Sequence, residues 1–264
     1  MKTLYRAVGR SDIGGEPLPT VFRTFANNQI VFRRAELSMI AGTPGAGKST
    51  LALALALRMA RPTLYFSADT NAHTMAMRLY SMLEGVDQNE VEKIMTEDPL
   101  KVKRRLWDAR HIDWSFDSAP NLDDIDEHCR AFEEVHGANP EVIIIDNLMD
   151  VSGSNGGDVE QFAGMRQVMH ELKYLARDTN AAVVVLHHTK ESYVGTPCQP
   201  RSAVQGMVNQ LPALILTVGQ ENNGLFGVAA VKNRYGKADP SGGSPVWLQF
   251  APASMYIADL PEQR

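Results

Sequence analysis

The chain has 264 residues, 44% hydrophobic and 22% charged, with a formal net charge of −5. That length supports one large α/β domain with a well-buried core, and the acidic balance excludes a generally basic nucleic-acid coat while leaving a local basic groove open. The two cysteines, Cys129 and Cys198, are isolated and fit no metal or redox spacing, as expected of a protein in a reducing cytoplasm, and the longest apolar run, Leu51 to Leu57, is too short to span a bilayer.

Residues 1–27 lack clear periodicity, carry the breaker cluster Gly14 to Pro19, and read either as an arm that packs on a neighbouring subunit or as a frayed leader. No signal peptide is visible in them. The domain is expected over residues 28–264. Gln29 to Phe32 reads as a short edge strand, and Leu37 to Ala41 as a buried one. Next comes Gly42-Thr43-Pro44-Gly45-Ala46-Gly47-Lys48-Ser49, followed by Thr50, which matches the phosphate-binding pattern G-x-x-x-x-G-K-[ST]. Leu51 to Ala60 consists almost wholly of strong helix formers. Strand, glycine-rich loop and helix form the arrangement the chemistry needs. The glycines let backbone N–H groups turn inward around phosphate oxygens, and the helix N-terminus adds partial positive charge. Lys48 is placed to reach the β- and γ-phosphates of ATP, and the Ser49 hydroxyl to ligate Mg²⁺.

Thr63 to Ser67 reads as the next buried strand, with Asp69 just past its end and a helix over His73 to Leu83. Short helices are expected at Val91 to Ile94 and Val102 to Trp107. The run Lys101, Lys103, Arg104, Arg105 is read as a solvated helix face. Ile112 to Phe116 alternates as a strand, and Asn121 or Asp123 is placed to cap a helix reaching about Val135. Glu141 to Asp146 is the strongest strand signal and ends in a carboxylate, the pattern of a residue that holds Mg²⁺ downstream of a phosphate loop. A helix follows from about Val159 to Arg177, then a buried strand from Ala181 to Leu186 ending in His187-His188. Leu211 to Val218, Leu225 to Val231, Val246 to Phe250 and Met255 to Ile257 read as late strands. Strands alternating with helices imply a mostly parallel sheet covered on both faces, with an antiparallel C-terminal extension. Ligands of such sheets bind at the carboxyl ends of the strands, where Gly42, Asp69, Asp146 and His188 are candidates for one crevice.

The segments Leu64 to Asp69, Met77-Arg78-Leu79, Ile145 to Met149, Leu186-His187-His188 and Lys232-Asn233-Arg234-Tyr235-Gly236 fall in the order that resembles the RecA-like ATPase core of DnaB-type replicative helicases, over roughly residues 25–258. The resemblance implies a RecA-like P-loop NTPase that is a Mg²⁺-dependent ATP hydrolase, a hexameric ring of identical subunits, single-stranded DNA as partner and a place in DNA replication beside other replication proteins. It assigns Asp69 to the position where that family usually has a water-polarising glutamate; a helix cap near Asn71 is the competing role. It assigns His188 to a γ-phosphate sensor, against a structural hydrogen-bonded histidine, and gives His187 no role. Lys232 and Arg234 match a K-x-R-x-G motif that reaches the phosphates of the neighbouring subunit, against a solvated strand end. The loops Asp150 to Asp158 and Thr189 to Ala203 correspond to DNA-contacting loops. The first has no positive charge, and the second offers Lys190 and Arg201. Asp69 in place of glutamate, and only about 25 residues before the core, favour an alternative: a non-unwinding recombination mediator or helicase loader. A small-molecule P-loop kinase is a weaker third reading.

Overall fold

The computed structural model describes residues 15–152, 162–190, 197–221 and 223–261. Nine strands form one sheet in the order β3-β2-β4-β5-β1-β6-β7-β8-β9. They are β1 (Leu37–Gly42), β2 (Thr63–Ser67), β3 (Ile112–Ser115), β4 (Val142–Asp146), β5 (Ala182–His188), β6 (Leu214–Gln220), β7 (Leu225–Asn233), β8 (Val246–Ala251) and β9 (Tyr256–Asp259). The first six pair in parallel, and β6 to β9 pair antiparallel. The helices of eight residues or more are α2 (Lys48–Met59), α3 (Ala72–Glu84), α4 (Gln88–Glu97), α5 (Pro99–Leu106), α6 (Leu122–His136) and α7 (Phe162–Asp178); a short α1 spans Arg23–Asn27.

The strands β1, β2 and β4 are buried at every position because both faces of the sheet are covered there. Alternation sorts the side chains of the sheet. Ile40, Tyr65, Ile144, Val184 and Leu216 join a core with the buried residues of α2, whereas Met39, Phe66, Ile143, Val185 and Ile215 join a second core with Ile125 and Phe132 of α6 and Met169 and Leu172 of α7. Fully burying each of these large side chains contributes about 1.5–3 kcal/mol. Local signals set the helix starts. Asn121 and Asp124 form a capping box on α6, and Asp98 caps α5 before a proline at its first position. The expected start of α7 near Val159 lies outside the described residues.

One expectation fails at the N-terminal side. Gln29 to Phe32 is no strand: Ile30 and Phe32 are buried in the core, and nearby only an isolated bridge joins Pro17 to Arg33. Its apolar residues point into the core without a ladder to join. Residues expected as an arm bury Leu18, Phe22 and Phe25 in the core of the same chain, and α1 accounts for part of that stretch. Phe22, the N-cap, offers no side-chain acceptor to α1; the carboxylate of Asp259, at the end of β9, accepts from the N–H groups of Arg23 and Thr24 at 2.8 Å each.

Candidate active site

β1 ends at Gly42, and α2 begins at Lys48. Between them Gly45 and Gly47 hold positive φ of 74° and 92°. Gly47 is the N-cap of α2 and offers no side-chain acceptor, so the first N–H groups of the helix face outward with the positive end of its dipole. A Cβ on Gly47 would come within 2.5 Å of the Phe226 ring, and one on Gly42 would meet Ala46 Cβ and Val218 O at 3.0 Å. Gln220, the last residue of β6, donates from Nε2 to Gly45 O at 2.9 Å. The loop is therefore shaped from both sides.

Lys48 is buried and its ammonium donates to Gly42 O at 3.2 Å and Thr43 O at 3.1 Å, the loop carbonyls beneath the cradle. His188 Nδ1 lies 3.5 Å from the same Nζ, because β1 and β5 pair with Gly42 opposite His188. Burial lowers the Lys48 pKa, opposed by the charges of Asp146 and then Asp69. Burial, and then the charge of Lys48, lowers that of His188, so a neutral ring faces the ammonium.

Asp146 closes the next strand but one. Its carboxylate accepts from the Ser49 hydroxyl and, at 2.9 Å, from the buried Tyr65 hydroxyl on β2. Burial raises the Asp146 pKa, while those two hydrogen bonds and Lys48 oppose the rise. A hydroxyl bonded to a carboxylate is a hard-oxygen pair that fits Mg²⁺ beside phosphate. Among the described residues no group of three or more His, Cys, Asp and Glu forms a separate metal site.

Asp69 is exposed, and its Oδ2 accepts from Asn147 Nδ2 at 2.8 Å. Asn147 is itself fixed, since its Oδ1 accepts from the Met149 N–H at 2.8 Å. Asp69 does not cap α3: Asn71 does, accepting from the Thr74 N–H at 2.9 Å. The charge of Asp69 reaches Lys48, Asp146 and His188, so the structure brings Lys48, Ser49, Asp69, Asp146 and His188 to one crevice at the carboxyl ends of β1, β2, β4 and β5.

It does not bring Lys232 and Arg234 there. The antiparallel register sets Lys232 opposite Ile215 and Asn233 opposite Leu214, at the entry end of β6. Lys232 Nζ donates to Gln210 O at 2.6 Å and Asn209 O at 3.3 Å, and Arg234 donates to Glu36 Oε1 at 3.2 Å. Both cations thus sit at the end of the sheet away from their own phosphate loop. Burial, and then the charges of Arg234, Arg201 and Lys173, lower the Lys232 pKa. Lys190 and Arg201 are exposed on the segment after β5; Lys190 N–H donates to Ala203 O at 2.9 Å. Residues 191–196 of that loop and 153–158 of the other expected DNA loop lie outside the described residues. Tyr65, Asn147, Gln220 and Phe226 carry no role in the sequence reading, although a hydroxyl in an otherwise apolar buried strand and an amide directly after Asp146 are visible signals.

The sheet order, the loop between β1 and α2 and the carboxylate closing β4 define a RecA-like ATPase core. Residues 29–192 match the family model described as AAA domain, and the chain belongs to that family. It is 33% identical over 253 residues to the Gene 65 protein of Mycobacterium phage L5, a match spanning 93% of this chain and 94% of that one. Replicative DNA helicase DnaB of Geobacillus stearothermophilus is 25% identical over 183 residues, 66% of this chain but 40% of the helicase. DNA repair protein RAD51 homolog 4 of Mus musculus is 29% identical over 171 residues, 62% of this chain and 49% of that protein. In fold the chain is similar to a solved DnaB-like replicative helicase, with a TM-score of 0.81 at 16% identity, covering 98% of this chain and 65% of that one. Among the described residues no helix is long and apolar enough to cross a membrane.

Proposed function

We propose that the chain is a Mg²⁺-dependent ATPase motor that assembles as a ring, acts on single-stranded DNA and serves as a DnaB-like helicase core in cytoplasmic DNA replication. The observation that carries this reading is the convergence of Lys48, Ser49, Asp69, Asp146 and His188 at one crevice, while Lys232 and Arg234 lie at the opposite end of the sheet. The loop N–H groups and Lys48 hold the phosphates of ATP. Ser49 and Asp146 hold Mg²⁺, which when bound neutralises charge on the β- and γ-phosphates. Asp69, with one oxygen fixed by Asn147, has the other free to orient the attacking water and accept its proton. His188 reads the γ-phosphate next to Lys48, and Arg234 of an adjacent subunit stabilises charge developing in the transition state.

The test is ATP hydrolysis by the full chain with and without oligothymidylate, alongside strand displacement on a forked duplex. Stimulation by the oligonucleotide, loss of turnover in Lys48→Ala and displaced strand are expected. Full turnover by a strict monomer would remove the role of Arg234. The likeness to RAD51 homolog 4 favours the second reading, a recombination mediator or loader; nucleotide-dependent DNA binding without displacement is its signature.

A further inference from the structure

The basic run on α5 acquires an unexpected neighbour. Trp107, directly after the helix, is 66% exposed, and Leu100 at its start is equally so. Lys101, Lys103, Arg104 and Arg110 are exposed around them. The Arg110 guanidinium lies 5.3 Å from the Trp107 ring centroid, and its Nη1 donates to Trp107 O at 3.1 Å. Lys103 and Arg104 precede Trp107 by four and three residues, the spacing that places side chains on one helical face.

Three nearby acids are already engaged. Asp108 and Glu84 both pair with Arg105, whose Nη2 also donates to Leu83 O at 2.8 Å. Arg105 therefore fastens α5 to α3 and does not belong to the patch. Asp98 is occupied at the helix N-terminus by the Lys101 N–H at 3.0 Å. Among the described residues no ion pair forms to Lys101, Lys103, Arg104 or Arg110. Cations in the last turn of a helix complement its dipole, which accounts for Lys103 and Arg104. It does not account for Lys101, for Arg110, or for an indole left in water.

We propose that this face is a second binding surface for single-stranded nucleic acid, apart from the loops carrying Lys190 and Arg201. Four unpaired cations on a chain of net charge −5 form a local complement to a polyanion. The solvent-facing indole beside a guanidinium offers a stacking platform for an unpaired base. A duplex hides its base faces, so the ring selects single strands; an acidic protein would satisfy the cations but leave the ring without a partner. The patch also lies at the far end of the sheet. Arg110 precedes β3, whose first residue Ile112 pairs with Thr63 at the entry end of β2, whereas Lys190 follows the exit end of β5.

The test measures fluorescein-labelled oligothymidylate binding to the full chain by anisotropy across a salt series, with duplex DNA and polyglutamate as competitors. Trp107→Ala is expected to weaken binding about tenfold, the loss of one stacked base. Lys103→Ala with Arg104→Ala is expected to reduce the slope of log K against log salt by about 1.4, or ~0.7 for each phosphate no longer neutralised. Basal ATPase without DNA and particle mass should not change in either variant, since neither touches the phosphate loop. Unchanged affinity and slope would overturn the proposal. So would polyglutamate binding tighter than the oligonucleotide, or a change in particle mass, which would assign the patch to a protein contact.

Discussion

His187 closes β5 beside His188 and has no exposed surface. Its Nε2 lies 3.1 Å from Gln205 O, so the ring is the tautomer that donates there, and its Nδ1 has no partner. Protonation would add a buried N–H with nothing to receive it. Burial accordingly lowers the pKa from 6.5 to about 4. In the unfolded chain the same histidine binds a proton below pH 6.5, so between 6.5 and about 4 the unfolded state holds more protons than the folded one. Stability contributed by the neutral ring is complete above pH 6.5 and is lost as pH falls toward 4. The shift corresponds to about 3 kcal/mol at its limit, and about 2 kcal/mol of that is lost between pH 7 and pH 5. Denaturant unfolding of wild type and His187→Gln at both pH values isolates the effect, because carboxylate titrations are common to the two proteins. Wild type is expected to lose about 2 kcal/mol more than the variant over that interval. Equal losses would refute the assignment of a buried, neutral His187.

Two further substitutions address the site and its supports. Asn147→Ala removes the hydrogen bond that fixes Asp69 and the turn contact to Met149; turnover is expected to fall about tenfold with nucleotide affinity within about twofold, as for a group that orients a general base, and single-turnover hydrolysis with equilibrium nucleotide binding separates the two. A Cβ at Gly219 would run into the backbone carbonyl of Pro197, which no side-chain adjustment relieves. Gly219→Ala is therefore expected to destabilise by about 2 kcal/mol or more, seen as an earlier thermal transition than in Gly137→Ala, a position with nothing within 4 Å of an added Cβ and positive φ alone as its cost.

Features written in contiguous residues were legible. The phosphate loop joins a strand to a helix within a few residues, and the strands buried on both faces appear as unbroken apolar runs such as Val142 to Ile145. Caps written locally, at Asn121 and Asn71, were within reach of the same logic, although at Asn71 the carboxylate two residues earlier competed for the role. What sequence did not convey depends on partners far apart in the chain. Tyr65 and Asp146 are 81 residues apart, Asn147 and Asp69 are 78 apart, and Gln220 and Gly45 are 175 apart. No local period encodes such pairs. Gln29 to Phe32 misled for a related reason: its alternate apolar residues are buried by loop packing, which mimics the period of a strand. Trp107 read as the end of a helix, and only the arrangement of α3 and α5 shows that its ring faces solvent.

The carboxylate that caps α1 comes from residue 259, more than 230 positions downstream of the N–H groups it serves. A five-residue helix has no stability of its own, so α1 waits for that cap. At about 5–20 residues per second, a ribosome supplies it roughly 10–50 s after Arg23 has been made. During that interval Phe22 and Phe25 lack their final surroundings, and the β8-β9 hairpin near which they settle does not yet exist. The stretch around α1, made well before β9, is thus among the last parts of the domain to be fixed.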